Sequence, residues 1–88
     1  PLLEVRGLAR ARAALRDGDA ASALRLLDAH RREYPQSAYD EERDVLVVAA
    51  LCDAGRSDDA RTAAANFRRA HPGSPLTAHL LGCTNESP

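Results

Sequence analysis

No lysine, isoleucine, methionine or tryptophan occurs in the 88 residues, and aromatic side chains stop at one phenylalanine and two tyrosines. Each absence excludes something. Formal net charge is −1, so no global field holds nucleic acid or an anionic membrane. Without a basic stripe interleaved with aromatics, there is no stacking platform for single strands. No helix can combine a Lys/Arg-rich face with bulky Trp or Phe anchors, which excludes a surface-lying membrane helix. The longest apolar run, Val45–Cys52, falls far short of the ~20 residues of a membrane span. The lack of Lys, Ile and Met reads as the bias of a GC-rich genome rather than as a function.

Catalytic and metal motifs are missing too. There is no Gly-rich phosphate loop, nucleophile elbow or Ser/His/Asp arrangement. His30, His71 and His79 stand at no zinc-like spacing from one another or from a cysteine. The reading is a non-enzyme with no catalytic, cofactor-binding or metal residues. Two cysteines are too few for a disulfide framework. Cys52 closes the apolar run and reads as a small core residue. Cys83 falls in "GCTNESP" (82–88) and opens a tail, 83–88, that reads as frayed. A Cys52–Cys83 bridge is the minority alternative, and the compartment stays open. The first residue is Pro1 rather than Met, which suggests one domain of a larger protein, with any leader, anchor or neighbouring domain lying outside it.

What is present is a repeat. Shifted by 37 residues, "DGDAASALRLLDAHRREYPQS" falls without a gap on "AGRSDDARTAAANFRRAHPGS". Identities stand at Gly18/Gly55, Ala23/Ala60, Arg31/Arg68, Arg32/Arg69, Pro35/Pro72 and Ser37/Ser74, and His30 falls on Phe67. A fixed period of this size is the signature of a stacked helical array. Each copy reads as two helices. The first spans Leu3 to about Asp17, with Leu8, Ala11 and Leu15 at helical spacing. Gly18 suits a left-handed position after it, and Asp19 an N-cap. The second runs from about Ala20 to Glu33 with Ala23, Leu26, Leu27 and His30 on one face, and Tyr34-Pro35 ends it.

Ser37 is the expected N-cap of a third helix, whose first turn holds Asp40, Glu41 and Glu42 against the positive end of the dipole. Val45–Cys52 is apolar all round, so this helix is expected at the centre, covered on two sides. Gly55 ends it. Ser57 caps a fourth helix, about Asp58 to Ala70, with Ala60, Ala63, Ala64 and Phe67 inward. Ser74-Pro75 opens a short fifth helix to about Leu81, with Leu76 and Leu80 covering the open end of repeat two. His30 and His71 read as packing residues. The acids of the first turns read as capping and dipole partners. The Arg pairs 31–32 and 68–69 read as complements to helix C-termini rather than as nucleic-acid contacts.

With its small residue early in each second helix (Ala23, Ala60), its turn glycines (Gly18, Gly55), Leu27 and the closing Pro35 and Pro72, the chain resembles the tetratricopeptide repeat (TPR) family. The resemblance covers nearly its whole length. Departures lie in the first helices, where the family's Trp, Leu-Gly pair and Tyr are replaced by Gly7, Arg10, Ala11 and Ala14 in repeat one. In repeat two Asp44, Val47, Val48 and Leu51 stand there. The "YPxS…HPxSPL" endings are similar to those of divergent repeats in bacterial envelope proteins, and that likeness implies an envelope or periplasmic setting.

The resemblance implies an all-α fold: two helix-turn-helix repeats (about 3–35 and 38–72) in a right-handed superhelical stack, with a capping helix at about 75–82. It implies a non-catalytic protein–protein interaction module whose first helices line a groove. In this chain that groove comprises Val5, Leu8, Arg12 and Arg16, with Glu42, Val45, Ala49 and Asp53 opposite. It would take an apolar ligand with a carboxylate near the arginines, and the bland alternative is that the arginines only solvate a face. The expected partner is a protein or peptide, or the rest of the parent chain, with no nucleic acid, no direct membrane binding and no cofactor. Two repeats are few, so exposed apolar ends built on Leu2, Leu3 and Val5 or on Leu76, Leu80 and Leu81 leave self-association, as a homodimer or assembly element, as the second reading.

Overall fold

A computed structural model describes residues 2–80 and 83. Its elements are α1 (Leu2–Arg16), α2 (Ala20–Glu33), α3 (Asp40–Asp53), α4 (Ser57–Ala70) and a short 3₁₀ helix (Pro75–Leu80), with no strand among the described residues. The helices form two helix-turn-helix repeats, α1–α2 and α3–α4, and the 3₁₀ helix covers the second. α3 lies at the centre and touches α1, α2, α4 and the 3₁₀ helix, while the backbones of α2 and α4 do not approach each other within 8 Å.

The breaks fall where local chemistry demands them. Gly18 and Gly55 take φ +78° and +76°, a region that costs side-chain-bearing residues about 1 kcal/mol or more. Asp19 caps α2 by accepting the Ser22 N–H at 3.0 Å. Hydrogen bonding from Ser22, side chain first and backbone second, holds the Asp19 carboxyl below its ordinary range. α2 and α4 end at Glu33 and Ala70, each one residue before an X-Pro pair.

Several expected caps differ. α3 begins at Asp40 behind Tyr39, and α4 begins at Ser57 behind Arg56, neither with a side-chain cap. Ser37 lies three residues ahead of α3 and takes the Tyr39 N–H at 3.0 Å. The fifth helix is 3₁₀ rather than α, and Leu81, its expected end, lies outside the described residues, as do Pro1 and the tail beyond Cys83.

Two apolar clusters make the core. Leu8, Ala11, Ala23, Leu27 and Ala50 form one. Val48, Leu51, Ala60, Ala64, Phe67 and Leu80 form the other, and Leu24 and Val47 pack against both. Ala23 and Ala60 are fully buried, where a small side chain allows helices to approach closely. His30 sits in the core position that Phe67 fills in the second repeat, 4% exposed, and its two ring nitrogens have no hydrogen-bond partner. The repeat extends to ring contacts: His30–Tyr34 and Phe67–His71 lie with centroids 5.1 and 4.9 Å apart, both tilted by 53°.

The cysteine expectation is corrected. Cys52 and Cys83 form a disulfide with Cα atoms 5.5 Å apart. The 3₁₀ helix returns the chain to the C-terminal end of α3, which brings Cys83 out of its expected frayed tail and onto Cys52. Arg43 is only 4% exposed. A guanidinium can be buried only with partners, and Arg43 finds them in Asp44 (Nε–Oδ1 3.3 Å) and the Tyr34 carbonyl (3.4 Å) at the end of α2.

Candidate functional site

α1 and α3 pack side by side and present Arg12 and Glu42 to each other. The Arg12 guanidinium donates to Glu42 Oε2 at 2.7 Å, with the two side chains 41% and 45% exposed. Solvent screening leaves such a pair worth about 0–1 kcal/mol, so it orients the side chains without locking them. Beside it opens a cavity of about 300 Å³ lined by Arg12, Glu42, Val45, Leu46, Leu76 and His79. Its floor is apolar and its rim holds one cation, one anion and an imidazole. Three elements meet here: α1, α3 and the 3₁₀ helix.

The eight groove residues expected from sequence divide. Arg12, Glu42 and Val45 come together at this cavity. Ala49 is half-buried, and Val5, Arg16 and Asp53 are exposed without lining it. Leu8 is 1% exposed and belongs to the repeat-one core, so it offers no groove surface. The arginines do not stand as a free pair, because Glu42 already holds Arg12. Leu46, Leu76 and His79 were missed. The sequence places Leu76 in a cap or an exposed apolar end, and the structure makes it half-buried, while i, i+3 spacing within a 3₁₀ turn places His79 beside it, a signal available in the sequence.

A second hollow, a trench, is lined by residues of α2, α3 and α4. One part, about 270 Å³, is lined by Arg31 and by Asp44, Val47, Ala63, Asn66, Phe67 and Ala70. Asp44 collects charge there, accepting from Arg31 Nη2 and Arg43 Nε at 3.3 Å each, with His71 Nε2 at 4.0 Å. Its carboxylate is satisfied by the fold itself, which makes it a structural hub between repeats. Among the described residues no three His, Cys, Asp or Glu side chains converge as a metal ion would need, and no helix is long and apolar enough to cross a membrane.

The chain matches no known family model, no curated protein and no solved structure.

Proposed function

We propose that this chain is a TPR-like, non-catalytic protein–protein interaction module that takes a peptide or partner segment in the groove between α1, α3 and the 3₁₀ helix. The observation that carries the reading is the cavity at Arg12 and Glu42, where an apolar floor of Val45, Leu46 and Leu76 lies under an accessible ion pair. A ligand's apolar side chain gains from burial on that floor. Its carboxylate competes with Glu42 for Arg12 and has Arg16 within the same helix face one turn on. The residue pattern shared with the TPR family supports the same function.

The Cys52–Cys83 bridge supports an oxidising setting, since structural disulfides persist outside reducing compartments. Together with the repeat endings it favours the bacterial envelope, with this module as one domain of a larger protein.

The test is Arg12→Glu with Arg16→Glu. The double variant is expected to keep its helical circular dichroism and to lose recovery of the native partner in a pull-down. Undiminished recovery would remove the groove from the proposal. The self-association reading has one supporting observation, the exposure of Leu2 and Leu3 at 67% and 66%.

A further inference from the structure

The groove at Arg12 and Glu42 has walls of unequal strength. α1 and α3 supply Arg12, Glu42, Val45 and Leu46, and both helices are built into the apolar core. Leu76 and His79 come from the 3₁₀ helix. That helix runs for six residues, long for a geometry that seldom exceeds roughly three or four. Its order must come from what it touches.

The 3₁₀ helix is attached at both ends. At its start, Ser74 Oγ donates to Glu41 Oε1 at 2.5 Å and accepts the Leu76 N–H at 3.1 Å. At its end, Leu80 is fully buried among Val48, Leu51, Ala60, Ala64 and Phe67. Beyond it, Cys83 is bonded to Cys52 in the last turn of α3, and both cysteines pack on that same cluster. Ordering the backbone of a single residue costs a large part of what one buried leucine contributes. Leu80 and the half-buried Leu76 therefore do not hold the whole helix by themselves. The covalent bond decides the balance. It leaves a short tether between Ser74 and Cys83, which removes most of the freedom that detachment would gain.

Taking the groove as the binding site, a premise shared with the proposed function, we infer that the Cys52–Cys83 bond is a redox switch on it. Oxidised, the bond holds Leu76 and His79 in place as the third wall. Reduced by a dithiol, it lets the 3₁₀ helix leave α3, and the groove loses that wall. One thiolate of the dithiol attacks a bridge sulfur, the S–S bond breaks, and the other cysteine leaves as a thiolate that takes up a proton. The second thiol of the reductant then displaces the mixed disulfide, closing its own S–S bond and freeing the remaining cysteine as a thiol. Two electrons and two protons pass to the chain. Cys52 and Cys83 are each half-buried rather than enclosed, which leaves the bridge open to attack in the folded protein.

The change is confined to one side of the groove. The Arg12–Glu42 pair joins α1 to α3 and involves no residue of the 3₁₀ helix. The first core cluster, Leu8, Ala11, Ala23, Leu27 and Ala50, contains none of it either. Reduction therefore strips an apolar wall while the charged pair stays. What remains, Val45 and Leu46 on α3 beside Arg12, is an open surface that no longer encloses a side chain.

The probe is N-acetyl-leucine, which carries one apolar side chain and one carboxylate. It is titrated into the full 88-residue chain and followed by nuclear magnetic resonance. In the oxidised chain the signals of Arg12, Val45, Leu46, Leu76 and His79 are expected to move on titration. After treatment with dithiothreitol, Leu76, Thr77 and His79 should drift toward unstructured shifts while α1 and α2 keep theirs. The probe should then bind roughly tenfold or more weakly, since only the fraction with its wall attached is competent. Reoxidation should restore both readouts. The variant Cys52→Ser with Cys83→Ser should behave as the reduced chain and ignore the reductant. Equal affinity in both redox states would overturn the switch and leave the groove standing. Unchanged shifts in the 3₁₀ helix on reduction, or a general loss of helical circular dichroism, would also overturn it, making the bridge a structural tie only. A response of the double variant to reductant would place the cause outside the bridge and overturn the inference. A probe that moves no signals in either state would remove the groove itself, and the switch with it.

Discussion

Ser37 Oγ donates a 2.6 Å hydrogen bond to Glu4 Oε2, and 37 residues later Ser74 Oγ donates one of 2.5 Å to Glu41 Oε1. Each serine also accepts a backbone N–H two residues on, from Tyr39 at 3.0 Å and Leu76 at 3.1 Å. The serine at the end of each "PxS" thereby ties the start of one unit to the start of the next. A hydroxyl is needed because the same oxygen must donate to a carboxylate and accept from an amide.

Ser37→Ala is expected to lower stability by about 1–2 kcal/mol, since a hydrogen bond to a charged acceptor is lost in a buried place. Ser37 is 7% exposed and Ser74 half-buried, so Ser74→Ala should cost less. Chemical denaturation measures both. A double-mutant cycle with Glu4→Gln isolates the pair, and zero coupling would mean the bond adds nothing.

His30→Phe should stabilise the protein by about 1 kcal/mol. The imidazole is buried with both nitrogens unpartnered, and an unmade hydrogen bond in a core costs more than an apolar ring in the same place. Phe67 already serves in the equivalent place of repeat two. A fall in melting temperature would show that the ring nitrogens have a partner, such as a buried water.

Ala60→Leu is expected to cost ~1–3 kcal/mol by overpacking. Ala60 is completely buried at the start of α4, with no space for three further carbons. A neutral thermal shift would contradict the assignment of Ala60, and with it Ala23, to the closest part of each hairpin.

Reduction of Cys52–Cys83, whose partners are 31 residues apart, should remove about 3–4 kcal/mol by releasing loop-closure entropy to the unfolded chain. Thermal melts with and without reductant provide the comparison, and Cys52→Ser with Cys83→Ser should reproduce the reduced curve. Equal melting temperatures in both conditions would mean the bridge adds no stability.

Helix C-termini were legible because their causes are local. Gly18 and Gly55 supply left-handed backbone, and Tyr34-Pro35 and His71-Pro72 deny the helix its continuation, whatever the rest of the chain does. The inward faces were legible for a similar reason: Ala23, Leu27, Ala60, Ala64 and Phe67 recur at helical spacing, and that period sets which side seeks the core. The 37-residue repeat then required that two such hairpins be stacked.

Pairings across the stack were decided only by tertiary structure. Leu8 and Val5 share one helix, but packing in the repeat-one cluster buries Leu8 and leaves Val5 outside. Nothing local marks Arg43 for burial; the carbonyl end of α2 covers it. Cys52 and Cys83 meet because a 3₁₀ turn folds back on α3, and Arg12 finds Glu42 because two repeats lie side by side. The chain alone determines which residues seek burial and where helices stop. Which side chains then meet depends on angles and distances between helices, and those arise only when the whole array packs.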